Sequence, residues 1–371
     1  MIRSAALALV LLGLAACGQD QENASDRRGG PPAPAAVPGA PTAGPAPANA
    51  KGGATLQAVK NRGRLLCGVH TGLAGFAYPD NRGVWRGFEV DFCRTLAASI
   101  FGDRDAVRFV PLSAQNRFTA LQSGEVDILI RVSSQSFSRD ANLGLDFVGV
   151  NYYDGQGFLV RRGLEVRTAP ELSGARICVI TGSTTELNLS DFFRSRGLNY
   201  ESVVVDSVDQ SRANYQREAC DAVTDDISAL ASSRSVLDNP QAHVILPDVI
   251  SKEPLGPWVR QGDDNWADVA RWNLYAVLLA EELGVTSRNA EDLRKTSRNP
   301  EVRRLLGVEG SFGPMLGLRE DWAFQAVRQV GNYGEIFEAN LGARSPLKLQ
   351  RGLNAQWSAQ PSGLMYAMPL R

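Results

Sequence analysis

The stretch from Val126 to Asp140, VDILIRVSSQSFSRD, constrains the fold more than any other part of the chain. Its first residues, Val126 to Ile130, form a short apolar run that is typical of a buried β-strand. Hydroxyl side chains and the arginines Arg131 and Arg139 follow at once. A buried parallel strand ends at the carboxyl edge of its sheet, where open α/β folds bind their ligands. The stretch therefore predicts an α/β protein with a polar site at that edge.

Ser134 and Arg139 have the chemistry that a small carboxylate requires. The planar guanidinium of Arg139 can donate to both carboxylate oxygens, and a serine hydroxyl can donate to a remaining lone pair. Taken alone, the same residues also fit an ordinary serine-rich loop that ends in a surface arginine. The rest of the chain decides between these two interpretations.

Neighbouring segments on both sides of this stretch carry a resemblance to a known family. The segments are RFTALQSGE, VDILIRVSSQSFSR and LGLDFVGVNYYDGQGFLV. They resemble family 3 of the extracellular solute-binding proteins, in particular the periplasmic general L-amino-acid-binding proteins of ABC transporters. The resemblance extends over about residues 55–371. It implies a two-lobed, hinged α/β fold (a type II periplasmic-binding-protein fold) with extra C-terminal helices on lobe 1.

The resemblance also implies a division of the chain into lobes. Residues 55–155 would form the first part of lobe 1, and residues 156–253 would form lobe 2. Residues 254–371 would return to lobe 1 and continue as the C-terminal helical extension.

The N-terminal segment has the features of a lipoprotein leader. Arg3 supplies a positive charge, an apolar core follows, and LAAC ends at Cys17. That core is too short to span a bilayer as a helix, so residues 1–16 are predicted to be a signal peptide and Cys17 the site of lipidation. Residues 17–54 are rich in Pro, Ala and Gly and are predicted to be a disordered tether. We therefore expect a periplasmic protein that is lipid-anchored to a membrane of a Gram-negative envelope.

The remaining cysteines, Cys67, Cys93, Cys178 and Cys220, are even in number, which suggests two disulfides in an exported chain. Sequence alone allows three pairings. The implied lobes separate the first two from the last two and so favour Cys67–Cys93 and Cys178–Cys220. The four lack CxxC spacing and histidine partners, so no metal is expected.

In lobe 2, the segment TGSTTE places Ser183 and Thr184 at the start of a predicted helix. The N–H groups at a helix start bind anions, although an ordinary N-cap would explain the same residues. The resemblance favours binding of the ligand carboxylate. It further implies that Asp226, just after a strand, binds the α-ammonium group, and that Asp225 points outward.

His70 follows the first predicted strand of lobe 1, at a position that faces the cleft in the family. It is a candidate ligand contact. The alternative is a solvated loop histidine without a role in binding.

The chain departs from the family pattern near the site. Family members commonly have an RNTTWTLSR-like run where this chain has RVSSQSFSR, with Val132 and Gln135 as the main changes. The side-chain pocket is therefore expected to differ, while Arg139 and Asp226 are retained.

These observations favour a substrate-binding lipoprotein that captures an L-α-amino acid and presents it to an ABC permease. A formal net charge of −1 gives no sign of a nucleic-acid partner. We expect a monomer, no cofactor and no catalytic residues. One alternative is an envelope sensor or interaction protein that kept the fold but lost or changed amino-acid binding. Another is an enzyme similar to cyclohexadienyl dehydratase, which would use a pocket carboxylate as its acid or base.

Overall fold

The computed structural model describes residues 53–371. The predicted signal peptide, Cys17 and the tether through residue 52 lie outside the described residues. Ala54, which the sequence analysis placed in the tether, is the first residue of a helix.

The strands are short and follow the chain in this order: β1 (Leu65–His70), β2 (Tyr78–Pro79), β3 (Trp85–Arg86), β4 (Val107–Leu112), β5 (Ile128–Leu129), β6 (Leu145–Phe147), β7 (Tyr152–Asp154), β8 (Gln156–Arg161), β9 (Arg176–Ile180), β10 (Glu201–Val205), β11 (Ala222–Asp226), β12 (His243–Ile245), β13 (Glu253–Leu255) and β14 (Trp258–Arg260). The α-helices are α1 (Ala54–Arg62), α2 (Phe88–Phe101), α3 (Arg117–Gln122), α4 (Phe137–Asn142), α5 (Thr184–Ser195), α6 (Val208–Gln216), α7 (Ile227–Ser235), α8 (Asp264–Glu282), α9 (Ala290–Thr296), α10 (Pro300–Leu305), α11 (Phe312–Met315), α12 (Trp322–Gln329) and α13 (Tyr333–Asn340).

The protein has two lobes, each built around one sheet. In the first lobe the strand order is β4-β1-β5-β14-β6. Strand β1 is parallel to β4 and β5, whereas β14 runs antiparallel to β5 and β6. The strand expected at Val126 to Ile130 is present as β5, and backbone hydrogen bonds from Asp127 and Ile130 to β1 extend its pairing. The loop with Ser134, and helix α4 with Arg139 after it, therefore follow the carboxyl edge of this sheet.

The second lobe has the strand order β10-β9-β11-β8-β12. Strand β9 is parallel to both β10 and β11, while β8 is antiparallel to β11 and β12. Helices α5 and α7 start directly after β9 and β11. The carboxyl ends of these two parallel strands therefore bring TGSTTE and the Asp225–Asp226 pair to one edge.

Two strands connect the lobes. Strand β7 carries the chain into the second lobe and β13 carries it back, and the two pair antiparallel with Glu253 opposite Asp154. Beside them the loop after β5 bonds to the returning strand, because Gln135 N–H donates to Pro254 O at 2.9 Å. We refer to β7 and β13 as the hinge strands.

Each lobe contains one disulfide. Cys67 of β1 is bonded to Cys93 of α2, with a Cα–Cα distance of 6.1 Å. Cys178 of β9 is bonded to Cys220, which precedes β11, with a Cα–Cα distance of 5.7 Å. These are the pairs favoured by the implied lobes, and neither bond crosses the cleft.

The helices from α8 onward pack on the first lobe. Phe88 of α2 has edge-to-face contacts with Tyr333 and Phe337 of α13, which joins the C-terminal part of the chain to the core. Gly87 begins α2 with a φ of 126°, and a Cβ there would lie 2.1 Å from Phe76 O, so only glycine fits.

No helix among residues 53–371 is long and apolar enough to cross a membrane. Within the same residues, no group of three or more His, Cys, Asp or Glu side chains is placed to hold a metal ion.

Candidate functional site

One cavity lies between the two lobes and receives side chains from both carboxyl edges. It is lined by all six residues that the sequence analysis selected as ligand contacts, namely His70, Ser134, Arg139, Ser183, Thr184 and Asp226. Its volume is about 40 Å³. Such a space holds on the order of three water molecules, which is less than an amino acid needs. A ligand therefore requires the lobes to separate before it can enter.

Arg139 is placed by helix α4. Ser136 is the N-cap of this helix, and its Oγ accepts a hydrogen bond from Arg139 N–H at 3.4 Å. The guanidinium donates to Ser134 O at 2.9 Å and lies over the Phe118 ring, 5.1 Å from its centroid. Burial lowers the pKa of Arg139, and the negative charges of Glu253 and Asp226 oppose that shift. A half-buried cation thus faces the cavity.

Ser183 and Thr184 begin helix α5, as expected. Ser183 is the N-cap, and its Oγ accepts from Glu186 N–H at 3.2 Å. The Glu186 carboxylate in turn accepts from Gly182 N–H at 3.0 Å. Reciprocal bonds of this kind fix the chain direction at a helix start. Ser183 is therefore both an ordinary N-cap and a residue that lines the cavity.

The hydroxyl groups of Ser134 and Thr184 are oriented differently from the sequence-based expectation. Both donate to Oε2 of Glu253, Thr184 at 3.0 Å. A hydroxyl group has one hydrogen, so neither side chain can at the same time donate to a ligand carboxylate. In this arrangement each hydroxyl oxygen can only accept a hydrogen bond from a ligand, and the arginines of the cavity lining, Arg139 among them, are the side chains that can donate to a carboxylate.

Asp226 lies at the end of β11, is the N-cap residue of α7, and is 5% exposed. Its Oδ1 is buried and has no hydrogen-bond partner among residues 53–371. Burial raises the pKa of Asp226 well above its ordinary value, and the negative charges of Asp154, Asp225 and Glu253 raise it further. Arg139 opposes this shift. The site therefore contains an acceptor that a bound cation would satisfy.

The expectation that Asp225 points outward is wrong. Asp225 lines the cavity beside Asp226, and its Oδ1 accepts from Asp226 N–H at 2.9 Å. Burial raises its pKa to about 6. Side chains alternate between the faces of a strand, but β11 ends here and the chain turns into α7, so alternation no longer separates the two residues.

His70 is the last residue of β1 and is 4% exposed, so the alternative of a solvated loop histidine is wrong. Its Nδ1 accepts from Gly72 N–H at 3.1 Å. Burial lowers its pKa well below the ordinary value, and the charges of Arg131 and Arg117 add to this effect. A neutral imidazole therefore lines the cavity.

Arg117 and Arg131 line the cavity as well and were not selected from the sequence. Arg131 Nε donates to Leu112 O at 2.9 Å, and burial lowers its pKa to about 10 against the opposing charges of Glu89 and Asp225. Arg117 is 2% exposed, and its Nε has no hydrogen-bond partner among the described residues. Each arginine follows a strand of the first sheet, β4 or β5, which is a signal that sequence reasoning could have used.

Of the two altered positions near the site, only Val132 belongs to the cavity lining. Gln135 is exposed, and its backbone is bonded to the hinge. A valine at position 132, where the family commonly has a polar residue, therefore changes the pocket, whereas Gln135 lies outside the cavity lining.

A larger cavity of about 130 Å³ lies in the C-terminal part of the chain. It is lined by α8, α10 and residues 357–370, including Trp357, Tyr366 and the carboxylates Glu282 and Glu301. Its lining has no arginine or lysine, and Glu301 is paired with the exposed Arg371 at 3.5 Å, so this cavity lacks the opposed charges that face each other in the cleft.

The sequence profile of the bacterial extracellular solute-binding proteins, family 3, matches residues 65–296, which include both sheets and both hinge strands. The chain belongs to this family.

The chain is 53% identical over 324 residues to the glutamate/glutamine/aspartate/asparagine-binding protein of Rhodobacter capsulatus, covering 87% of this chain and 95% of that protein. It is 52% identical over 326 residues to the general L-amino acid-binding periplasmic protein of Rhizobium johnstonii, with the same coverage of 87% and 95%. These relatives are binding proteins and not enzymes.

One solved structure is similar to this protein in both sequence and fold. The periplasmic binding protein of an ABC transporter from Brucella ovis, with glutathione bound, has a TM-score of 0.83 and 53% sequence identity. The match covers 85% of this chain and 99% of that chain. The C-terminal helices are therefore shared with this neighbour of the solute-binding family.

Proposed function

We propose that the protein is the solute-binding component of an amino-acid ABC transporter. In the periplasm it would capture an L-α-amino acid between its lobes and present it to a permease. Family membership and the printed functions of the relatives at 52–53% identity support this proposal. The chemistry of the cleft supports it independently.

The single observation that carries the proposal is the pair of opposite charges facing one cavity from different lobes. Arg139 approaches from the first lobe and Asp226 from the second. An α-amino acid carries a carboxylate for the arginine and an ammonium group for the unpaired Asp226 Oδ1. Because the lobes exclude water when they close, each charge pair becomes stronger than it would be at a surface.

Arg117 supports a narrower substrate class. Its guanidinium is buried against the Phe118 ring, and its Nε lacks a hydrogen-bond partner within residues 53–371. Burial and the charges of Arg131 and Arg139 lower the pKa of Arg117, and the negative charge of Asp226 opposes this shift. A ligand oxygen that accepts a hydrogen bond from the unpartnered Nε would add to affinity. Ligands with a side-chain carboxylate or carboxamide have such an oxygen. Glutamate, glutamine, aspartate and asparagine fit this description, as does a small peptide with more than one carboxylate.

For the lobes, the proposed boundaries are residues 55–155 and 254–371 for lobe 1 and residues 156–253 for lobe 2. These limits agree with the distribution of strands between the two sheets. The first boundary falls just after hinge strand β7, and the second falls within hinge strand β13.

We further propose that the protein is a monomer held at a membrane by lipid on Cys17. The support for the anchor is the LAAC sequence after an apolar core. The Pro-, Ala- and Gly-rich composition of residues 17–54 supports a tether between the lipid and the folded part.

A thermal-shift screen of the twenty proteinogenic amino acids tests the function. A ligand that binds only the native state raises the melting temperature. We expect the largest shifts for glutamate, glutamine, aspartate and asparagine. Screening glutathione beside them asks whether a peptide with two carboxylates is also accepted. If no amino acid shifts the melting temperature, the transport proposal is wrong and the sensor alternative takes its place.

A further inference from the structure

Glu253 is a buried carboxylate at the floor of the cleft, on hinge strand β13. It is 2% exposed and lies opposite Asp154 of the other hinge strand. It is not among the residues that line the cavity. Any effect of Glu253 on binding must therefore act through the side chains that it contacts.

Among residues 53–371, four side chains donate hydrogen bonds to this carboxylate, and they come from both lobes and from the segment that leads into β13. Thr184 Oγ1 and Asn188 Nδ2, both on α5, donate at 3.0 and 2.8 Å. Ser251 donates from the hinge at 2.6 Å. Ser134, on the loop after β5 in the first lobe, donates to the same oxygen, Oε2, as Thr184. We call these five residues the Glu253 network.

Two members of the network, Ser134 and Thr184, line the cavity from opposite lobes. Both hydroxyl hydrogens are donated to Glu253, so toward a ligand each oxygen can only accept a hydrogen bond. Acceptors at this position suit the ammonium group, which every α-amino acid has. The contact would therefore be common to all ligands and independent of the ligand side chain.

We propose that Glu253 is a positioning residue that couples the hinge to the ligand site. By accepting hydrogen bonds from Ser134 of one lobe and Thr184 of the other, it stabilises the closed arrangement and orients both hydroxyl groups. This inference rests on the proposed amino-acid binding in the cleft. The measured affinity equals the intrinsic affinity multiplied by the fraction of molecules in the competent arrangement. Loss of the network would lower that fraction for every ligand alike.

The variant Glu253→Gln tests the proposal. Glutamine keeps the size of the side chain but has one acceptor oxygen where glutamate has two, so one pair of donors loses its acceptor. By isothermal titration we expect the affinities for L-glutamate, L-glutamine and L-asparagine all to fall by the same factor, about tenfold. Ser134→Ala, which removes the first-lobe donor, should produce a similar uniform loss. If Glu253→Gln does not fold, Ser134→Ala provides the test.

The matched control is Glu281→Gln. Glu281 lies on α8, outside the cleft, and its partly buried carboxylate is paired with Arg351. Its affinities should equal those of the wild type. In the double variant Ser134→Ala/Glu253→Gln, the combined loss should be smaller than the product of the single losses, because one interaction is removed twice.

The outcomes separate this proposal from the proposed function. Three results would each overturn the role of Glu253 while leaving amino-acid binding intact. They are unchanged affinities in the single variants, a loss confined to one ligand, and a loss in the double variant equal to the product of the two single losses. A wild-type protein that binds none of the three amino acids would instead overturn the proposed function, and the role of Glu253 with it.

Discussion

At the scale of single residues, the cleft contains one buried acceptor and one buried donor that have no hydrogen-bond partner among the described residues. Asp226 Oδ1 and Arg117 Nε both lack a hydrogen bond within the described residues, and both side chains line the cavity. Leaving a buried polar atom unsatisfied costs on the order of 1–3 kcal/mol, and more when it is charged. An α-amino acid with a side-chain oxygen would satisfy both atoms at once, Asp226 through its ammonium group and Arg117 through that oxygen. This is the physical reason to assign binding to these residues.

Replacing Asp226 by Asn should weaken binding without weakening the fold. The substitution removes the negative charge opposite the ligand ammonium, and we expect the affinity for L-glutamate to fall by on the order of 100-fold. The melting temperature without ligand should stay the same or rise, because a buried, unsatisfied carboxylate is removed. Isothermal titration and thermal melting measure the two effects. The control is Asp191→Asn on the exposed face of α5, and equal affinities for both variants would refute the role of Asp226.

The carboxylates around Asp226 predict a dependence on pH. Burial raises the pKa of Asp154 to about 7 and that of Asp225 to about 6, and raises the pKa of Asp226 as well. In the unfolded chain these groups titrate near 3.9, so between about pH 4 and pH 7 the folded state binds more protons. Without ligand, their contribution to stability is therefore greatest at low pH and is lost as the pH rises through this window.

Without ligand the folded state favours the protonated form of these carboxylates, and a bound ammonium group should favour the charged form instead. The ammonium group favours the charged form of Asp226, so binding releases protons and affinity should increase from pH 5 to pH 8. Isothermal titration in buffers of different ionisation enthalpy counts the protons released. A constant affinity with no proton release over this range would show that these carboxylates do not take part in binding.

At the scale of secondary-structure elements, the hinge strands are supported from the C-terminal part of the chain. Tyr153 N–H of β7 donates to Asn354 Oδ1 at 2.6 Å, and Asn354 Nδ2 donates to Tyr153 O at 3.0 Å. The amide thus bonds to β7 as a neighbouring strand would. Tyr333 of α13 adds a hydrogen bond to Asn151 O at 2.9 Å. The C-terminal segment therefore stabilises the strand on which the lobes would rotate.

Replacing Asn354 by Ala tests this support. Asn354 is 3% exposed, so its loss leaves an N–H and a C=O group of β7 without partners in the interior. We expect the free energy of unfolding to fall by about 2 kcal/mol, measured by urea denaturation. Asn199→Ala, at an exposed position of the second lobe, should change it by less than about 0.5 kcal/mol. Equal effects of the two substitutions would show that the hinge does not depend on Asn354.

The elements near the site differ in how far sequence could predict them. The position of Ser183 and Thr184 was predictable because a strand, a glycine and a capping residue define the start of α5 locally. The orientation of Asp225 was not, because it depends on where β11 turns into α7. The role of Glu253 also lay beyond sequence reasoning, since its partners Ser134 and Thr184 are 119 and 69 residues away. Contacts of that range are set by how the lobes pack.

At the scale of the whole molecule, two sheets, two intralobe disulfides and a two-stranded hinge leave the lobes connected but able to move. The contact between Gln115 Nε2 and Asp206 Oδ1, at 3.2 Å, closes the cleft on a surface exposed to solvent. An exposed hydrogen bond of this kind contributes little to stability. Opening is therefore opposed mainly by contacts inside the cleft, and a bound ligand would add to them.

The anchor is a property of the whole molecule that the sequence predicts and that lies outside the described residues. If Cys17 carries lipid, Cys17→Ser should move the protein from the membrane fraction to the soluble fraction. Its melting temperature and ligand affinity should be unchanged, because residues 53–371 contain both sheets and the cleft. Fractionation followed by immunoblotting makes the measurement. An unchanged distribution would show that lipid on Cys17 does not hold the protein at the membrane.

The central claim is that an amino acid bridges the lobes through its carboxylate and its ammonium group. The most direct measurement is isothermal titration of the wild-type protein with L-glutamate and with glutarate, which has both carboxylates but no α-ammonium group. The account predicts saturable binding of one L-glutamate per chain, and an affinity for glutarate that is lower by on the order of 100-fold, because Asp226 would remain unpaired. Equal affinity for the two compounds would contradict it.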